Sequence, residues 1–359
     1  MKIAALWFGV FCAACTHTAS DRGLTLQFLG EVTFPTGYQY NNIEMGGLSG
    51  IDYDPLSDRY IAISDDRAQR GPVRFYDLEI DLSDGSLDSG DIVFTGVTTI
   101  LDKDDKALKL FSVDPEAIRF APKPGKIYWS SEGSALTPPF VRVMSLDGKF
   151  LDEFSVAERY TPTPASGTRN NKGFEALTFG FNPDVVITAV ENSLRQDGPA
   201  ASPLVGSPVR VLQMDAISGQ VQTEHIYLTD AVIVPPTPEN AFSTNGLVEL
   251  LTLDEQRILA LERSYSTGVG NSVRLYLTTF DGASNVVALD SIAGQEIIVM
   301  PKRLLFDFNE LGLRLDNLEG MTFGPRLAER SRTLLLVSDN NFNEKGGQFT
   351  QFLAFRLDW

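Results

Sequence analysis

The sequence predicts an all-β fold, a β-propeller of five four-stranded blades. Three observations carry that expectation. One motif recurs five times, each copy holds four strand signals, and one surplus strand stands near the N-terminus. The motif begins as Leu48-Ser49-Gly50-Ile51-Asp52-Tyr53 and returns as Glu116-Ala117-Ile118-Arg119-Phe120 and Glu175-Ala176-Leu177-Thr178-Phe179. It returns twice more, as Glu249-Leu250-Leu251-Thr252-Leu253 and Glu319-Gly320-Met321-Thr322-Phe323. The leading residues are 67, 59, 74 and 70 positions apart.

The second strand of each repeat is an apolar run ending in an acid: Asp65, Glu132, Glu191, Glu262 and Asp339. The third opens on Pro72-Val73-Arg74, Phe140-Val141-Arg142, Pro208-Val209-Arg210 and Ser272-Val273-Arg274. In the fifth copy, Thr350-Gln351-Phe352, glutamine replaces arginine. Fourth strands are expected over 92–99, 150–156, 221–228 and 285–289, with turns at Asp84-Gly85, Asp147-Gly148, Ser218-Gly219 and Asp281-Gly282. Val, Ile, Phe and Tyr dominate these runs, and helical periodicity is almost absent. The fifth repeat lacks its own fourth strand, and the segment 24–34 supplies it. A six-bladed ring is the alternative, with a divergent blade near 290–315.

Residues 1–20 form a leader and 21–359 one propeller domain. Lys2 precedes an apolar run over 3–14, too short for a spanning helix of about 20 residues. Cys12-Ala13-Ala14-Cys15 resembles a bacterial lipobox, with Cys12 where leucine usually stands. The expectation is lipidation at Cys15 and a location outside the cytoplasm, in the periplasm or on the cell surface. The alternative is an ordinary cleaved signal ending near Ala14 or Ala19. Contact with membrane is expected only through the lipid, and the domain is expected to be a monomer. Both cysteines lie in the leader, so the domain has neither a disulfide nor a cysteine metal site.

Net charge is −17 and no basic stripe is present, which excludes the electrostatics of nucleic-acid binding. Blade geometry brings together the start of the first strand, the end of the second and the start of the third. One mouth of the channel should therefore collect Glu116, Glu175, Glu249 and Glu319 with the second-strand acids. Arg142, Arg210 and Arg274 should approach it. One reading is plain ion pairing within blades, Glu132 with Arg142, Glu191 with Arg210 and Glu262 with Arg274. The count favours more than that, because about ten acids face four arginines. Two carboxylates about 6 Å apart repel by roughly 3 kcal/mol at an effective dielectric near 20. Raised pKa values or a bound cation relieve such repulsion. All-oxygen ligands suit Ca²⁺ first and Mg²⁺ second, with Asn192, Asn340 and Asn341 as further amide donors.

Other chemistries lack their parts. His17 lies in the leader and His225 on an outer strand, so a Ser-His-Asp triad is not assembled. Ser49 sits in Gly47-Leu48-Ser49-Gly50-Ile51, which misses the last glycine of a nucleophile elbow. No phosphate-binding glycine loop opens a helix. Loops rich in Pro and Gly over 160–171, 197–207 and 234–245 leave the scaffold where function commonly resides, and plain connectors have the same composition.

Several stretches resemble the phytase-like family described as having "esterase-like activity of phytase". They are Leu48-Ser49-Gly50-Ile51, Asp114-Pro115-Glu116-Ala117-Ile118, Asn171-Lys172-Gly173-Phe174-Glu175-Ala176-Leu177, Asp316-Asn317-Leu318-Glu319-Gly320-Met321 and Ser338-Asp339-Asn340-Asn341. The resemblance implies a propeller, export, and phosphoester or ester hydrolysis, and it transfers no catalytic residue. The residues point to calcium and an anionic substrate, and with what the resemblance implies the expectation is a calcium-dependent hydrolase of a small anionic or ester substrate. Glu116, Glu175 and Glu319 would be catalytic, with Glu132, Glu191, Glu262, Asp65 and Asp339 as metal ligands. Arg142, Arg210, Arg274, Lys172 and Arg169 would hold the substrate. The rival is a non-enzymatic propeller on the cell envelope that binds a ligand or protein partner.

Overall fold

The structure is a computed structural model, and it describes residues 23–134, 137–328 and 331–359. The leader and Cys15 lie outside the described residues. Among the described residues there is no α-helix, only three short 3₁₀ turns. No helix among them is long and apolar enough to cross a membrane.

The chain enters through strand β1 (Thr25–Pro35) and a small hairpin, β2 (Gln39–Tyr40) with β3 (Ile43–Glu44). Blade one is β4 (Leu48–Asp54), β5 (Arg59–Ser64), β6 (Arg74–Ile80) and β7 (Ile92–Thr99). Blade two is β8 (Pro115–Phe120), β9 (Lys126–Ser131), β10 (Phe140–Ser145) and β11 (Phe150–Phe154). Blade three is β12 (Phe174–Phe179), β13 (Val185–Val190), β14 (Pro208–Asp215) and β15 (Val221–Leu228). Blade four is β16 (Ser243–Thr252), β17 (Ile258–Ser266), β18 (Gly270–Thr278) and β19 (Lys302–Asp307). Blade five is β20 (Asn317–Ala328), β21 (Ser331–Asp339), β22 (Phe349–Asp358) and, on its outer edge, β1.

The ring is closed as the sequence predicts, by β1 pairing with β22 from Thr25 opposite Asp358 to Pro35 opposite Phe349. Radial repetition leaves each blade only its outermost strand as an edge. Second strands are covered on both faces, which explains their unbroken apolar runs. Ile61, Ala62 and Ile63 are fully buried, as are Leu334 to Val337. These side chains fill the wedges between neighbouring blades.

One element differs from the expectation. The fourth strand of blade four is β19, not the segment 285–289. That segment has strand-forming residues, but its apolar side chains meet the neighbouring blade. Val286 and Ile292 cluster with Ile226 of β15. The amides of Val286 and Met300 donate to the carbonyls of Glu224 and Ile226, at 2.7 and 2.8 Å. The excursion thereby covers part of the exposed edge of β15.

At the centre, all five innermost strands meet one ion pair. Arg119 of β8 bonds Glu249 of β16 at 2.6 Å and the carbonyls of Ile51 and Met321 at 2.6 and 3.1 Å. Glu249 in turn accepts the amide of Leu177 at 3.1 Å. The two side chains are 3% and 1% exposed, so water reaches neither from above nor below. They form the floor of the channel. Glu249, expected in the acid ring, is thus a structural partner. Burial pushes its carboxyl up to about 7, and the Arg119 guanidinium pulls it back. Removing one member of a buried pair leaves the other charge uncompensated. Arg119→Met is expected to lower the unfolding free energy by about 3–5 kcal/mol. The measurement is the urea midpoint at unchanged m-value.

Candidate functional site

Each innermost strand slips its pairing register once near its start. The slip falls at Ser49, at Glu116 and Ala117, at Glu175, at Val248 and at Glu319. Such a bulge leaves a residue outside the ladder and re-aims its side chain. Glu116, Glu175 and Glu319 point in this way into the central cavity, whose volume is about 910 Å³. Ser49 instead donates to the carbonyl of Glu116 at 2.8 Å. A second ring comes from the second strands, one residue beyond the partner of the residue before each bulge. Ser64, Ser131, Val190, Glu262 and Ser338 are those partners, and the next residues are Asp65, Glu132, Glu191, Arg263 and Asp339.

Blade four breaks both rings, with Val248 in the first and Arg263 in the second. A one-residue change of register carries a strand's side chains to the other face. It moves Glu249 to the floor and Glu262 into the blade. Glu262 is fully buried and accepts from Tyr227, Asn245, Lys302 and the Asp230 amide. It is therefore not placed as a metal ligand. The sequence does contain a signal for this register, because Asn245-Gly246-Leu247 parallels Lys172-Gly173-Phe174. A Cβ on Gly173 would lie 2.1 Å from the Glu132 carbonyl oxygen, and one on Gly246 would lie 2.3 Å from the Glu191 carboxylate. Aligning these close-approach glycines, rather than the glutamates, sets Val248 level with Glu175.

The third-strand arginines do not reach the mouth. They stand two strand spacings of about 4.8 Å from the innermost strand. Arg142 pairs with Glu153 at 2.7 Å on the outer side of its blade. Arg210 is fully buried between Asp197 and Glu224, at 2.6 and 2.7 Å. Arg274 pairs with Asp307 at 2.9 Å. None of the three makes the intra-blade pair expected from the sequence. Arg169 is turned away as well, donating to the carbonyls of Ser193 and Gly198. Lys172 does line the cavity and pairs with Glu191. Three cations that the sequence reading missed line the cavity with it, and one of them, Arg314, donates to the Gly347 carbonyl at 2.8 Å. Arg67 pairs with Asp114 at 2.6 Å, and Arg263 pairs with Glu319 at 2.6 Å and lies 3.6 Å from Glu191. Asn192 and Asn340, proposed amide ligands, use their side-chain oxygens on the backbone amides of Ala201, Gly47 and Phe342. Asn341 lies on the rim of the cavity.

The carboxylates that do converge form three overlapping groups. Glu116, Glu175 and Glu319 make one, Glu132, Glu175 and Glu191 a second, and Asp114, Glu116 and Glu132 a third. Within each group, one oxygen from every residue lies within 4.8 Å of the others. Ca²⁺–oxygen bonds of about 2.3–2.6 Å place opposed ligands about 5 Å apart, so each group has a span that one such cation can satisfy. Asp65 and Asp339 line the cavity but join none of the groups.

Donors are too few for these acids. One oxygen each of Glu132, Glu175 and Glu191 is buried without a hydrogen-bond partner, and the three residues are 4%, 6% and 1% exposed. The carboxyls of Glu132 and Glu175 meet each other, an acid-to-acid contact that requires a shared proton or a cation. Burial pushes Glu132 up to about 8, with Asp114 and Glu191 adding repulsion. Burial beside Glu319 pushes Asp339 up to about 8. Asp114 rises to about 6, burial outweighing the pull of Arg67. Glu116 and Glu175 rise through burial first and their carboxylate neighbours second.

Fold and mouth define a class: a closed five-bladed propeller whose central cup is lined by carboxylates above a sealed floor. The chain belongs to the Phytase-like family, described as "Esterase-like activity of phytase", whose model matches residues 43–342. Among solved structures it is similar to Kuenenia stuttgartiensis hydrazine synthase. That match has 10% identity, covers 88% of this chain and 82% of the other, and has a TM-score of 0.40. It is also similar to a bifunctional GH43-CE protein of Bacteroides eggerthii, at 12% identity and a TM-score of 0.43, covering 87% of this chain and 33% of that one. No curated protein matches the chain.

The raised carboxyls set a pH dependence. Their ordinary values are 3.8 for Asp and 4.5 for Glu, against about 6 and 8 in the fold. The folded state holds these protons more tightly, so the associated stability is complete below pH 4 and is lost as pH rises through 6 and 8. Cation-free protein is expected to melt at a higher temperature at pH 5 than at pH 9, with millimolar calcium removing most of the difference. A chelator-treated sample with the same Tm at both values would contradict this account of the cup.

Proposed function

We propose that this propeller hydrolyses phosphoester or related ester bonds at its acidic mouth, with a divalent cation, calcium by preference, held by the cup. The observation that carries this reading is the convergence of buried carboxylates with orphaned oxygens and too few cations to balance them. Glu116, Glu175 and Glu319 would hold a cation at the centre, or Glu132 and Glu191, with Glu175, would hold it between blades two and three. When bound, the cation supplies charge to an anionic substrate oxygen.

The chain's own residues do the rest. Lys172, Arg67 and Arg263 stand along the wall and offer N–H donors to substrate oxygens once the cation takes over their carboxylate partners. Asp339, which burial beside Glu319 pushes up to about 8 in the cation-free chain, would be the group that gives a proton to a leaving oxygen. The sealed floor beneath limits water entry to the open side.

We place the domain outside the cytoplasm and attach it through Cys15, on the strength of the leader sequence. The rival reading, an envelope propeller that binds without catalysis, is favoured by one observation. Arg67, Lys172 and Arg263 are each paired with an acid.

A panel of phosphoesters and aryl esters, assayed with calcium and then with chelator, separates the two. The expected result is turnover abolished by chelator and reduced at least about 100-fold in Glu175→Gln, with that variant still folded. Absence of turnover on every ester, with calcium still raising Tm, would leave the binding module. Turnover indifferent to chelator would overturn the cation-dependent mechanism.

A further inference from the structure

This inference rests on the ester-hydrolase reading and concerns what the substrate carries beside its anionic group. Blade four is built taller than the others. Strand β16 starts five residues before its bulge at Val248, whereas β8 and β12 start one residue before theirs. Four extra residues at about 3.3 Å each raise this wall about 13 Å above the starts of β8 and β12. Strands β17 and β18 rise with it, and Thr244, Tyr265 and Asn271 stand level across the three strands.

Side chains alternate along a strand, so one face of this raised sheet looks into the cavity. It presents Arg263 at its base, then Thr244 and Tyr265, with Phe242 and Val269 at the top. Phe242 and Val269 are 65% and 46% exposed, unusual for apolar side chains in a cavity wall. The Phe242 and Tyr265 rings are 6.1 Å apart at 38°, tilted rather than stacked flat on each other. Tyr265 stands two residues, about 7 Å, above Arg263. The wall therefore grades from cationic at the carboxylate cup to aromatic at the rim.

The remainder of the mouth argues against a polyanion. Of the four cations in its lining, Arg67, Lys172 and Arg263 are matched to carboxylates, Arg314 binds the Gly347 carbonyl at 2.8 Å, and the chain carries a net charge of −17. A substrate with many phosphates would meet more repulsion than donors.

We propose that the raised wall of blade four is a subsite for an aromatic group, so that the mouth takes aryl esters with a single anionic group in preference to polyphosphorylated polyols. Phe242 and Tyr265 set that specificity by stacking on the substrate ring, and Arg263 fixes the height of the anion below them.

The test is calorimetric titration of the calcium-loaded full chain with phenylphosphonate and with methylphosphonate, neither of which can be turned over. Ring–ring contact of the usual strength predicts about 5- to 10-fold tighter binding of the phenyl compound. Phe242→Ala and Tyr265→Ala should each bring the two affinities together. Both side chains are at least partly exposed, so folding is expected to survive. Ile217→Ala, at an exposed turn between β14 and β15, should keep the preference. Equal affinities in the unaltered chain, or a preference that persists in both aromatic variants, would overturn the subsite while leaving the anion site intact. If neither phosphonate binds, the anion site itself falls and the subsite falls with it.

Discussion

The ion pair between Arg119 and Glu249 occupies the one place where all five blades meet. Its guanidinium reaches blades one, two, four and five, and its carboxylate accepts an amide from blade three. In water such a pair contributes little. Here both members are removed from solvent, so each depends on the other and on the backbone groups around them. Glu249 stands where the other blades have Gly50, Ala117, Ala176 or Gly320. A Cβ on Gly50 would come within 2.6 Å of the Glu116 carbonyl oxygen, which shows how tightly the ring closes at that level. Blade four alone has room for a long side chain there, and it uses that room to seal the channel.

A sealed floor changes the electrostatics above it. In an open channel, water on both sides would screen the carboxylates that the bulges turn inward. Above a dry floor they share one solvent-facing side, and burial is the leading cause of the raised pKa at Glu116, Glu132, Glu175 and Asp339. Repulsion between pairs adds to it. Proteins resolve such clusters by protonation or by a cation. The geometry leaves both open to the molecule, and they are linked, because a bound cation expels the protons. Blade four again supplies the asymmetry. With Val248 and Arg263 in the two rings, blade four adds no acid to the cup and leaves its own wall free for a different kind of contact.

Much of the fold was legible because the blade repeat is periodic in the simplest terms. Strand signals, turn glycines and the surplus strand 24–34 suffice for five closed blades, since each reports local backbone chemistry. The fourth strand of blade four escaped because strand propensity says nothing about which neighbour a segment joins, and 285–289 attached to blade three. Among the candidate residues, Glu116, Glu175, Glu319, Glu132, Glu191, Asp65 and Asp339 were picked out by the repeat and Lys172 by its place in a loop, and the structure brings them to one mouth. Glu249 and Glu262 were misplaced by letter-for-letter alignment, which cannot see a bulge shifted by one residue. The arginines of the third strands failed for a different reason. They face the cavity in a diagram of a blade, but lie too far from its axis and have nearer acids in Glu153, Asp197, Glu224 and Asp307. Arg67 and Arg263 carry no motif, and only the coordinates bring them to the acids.

The central claim is that the cup exchanges protons for a cation. Titration calorimetry of the cation-free chain with calcium at pH 7, repeated in two buffers of different ionisation enthalpy, measures that exchange directly. The account predicts saturable binding with an observed enthalpy that changes between buffers by the amount expected for release of at least about one proton per chain. Binding with no buffer dependence, or no binding at millimolar calcium, would show that the buried acids are settled without a cation.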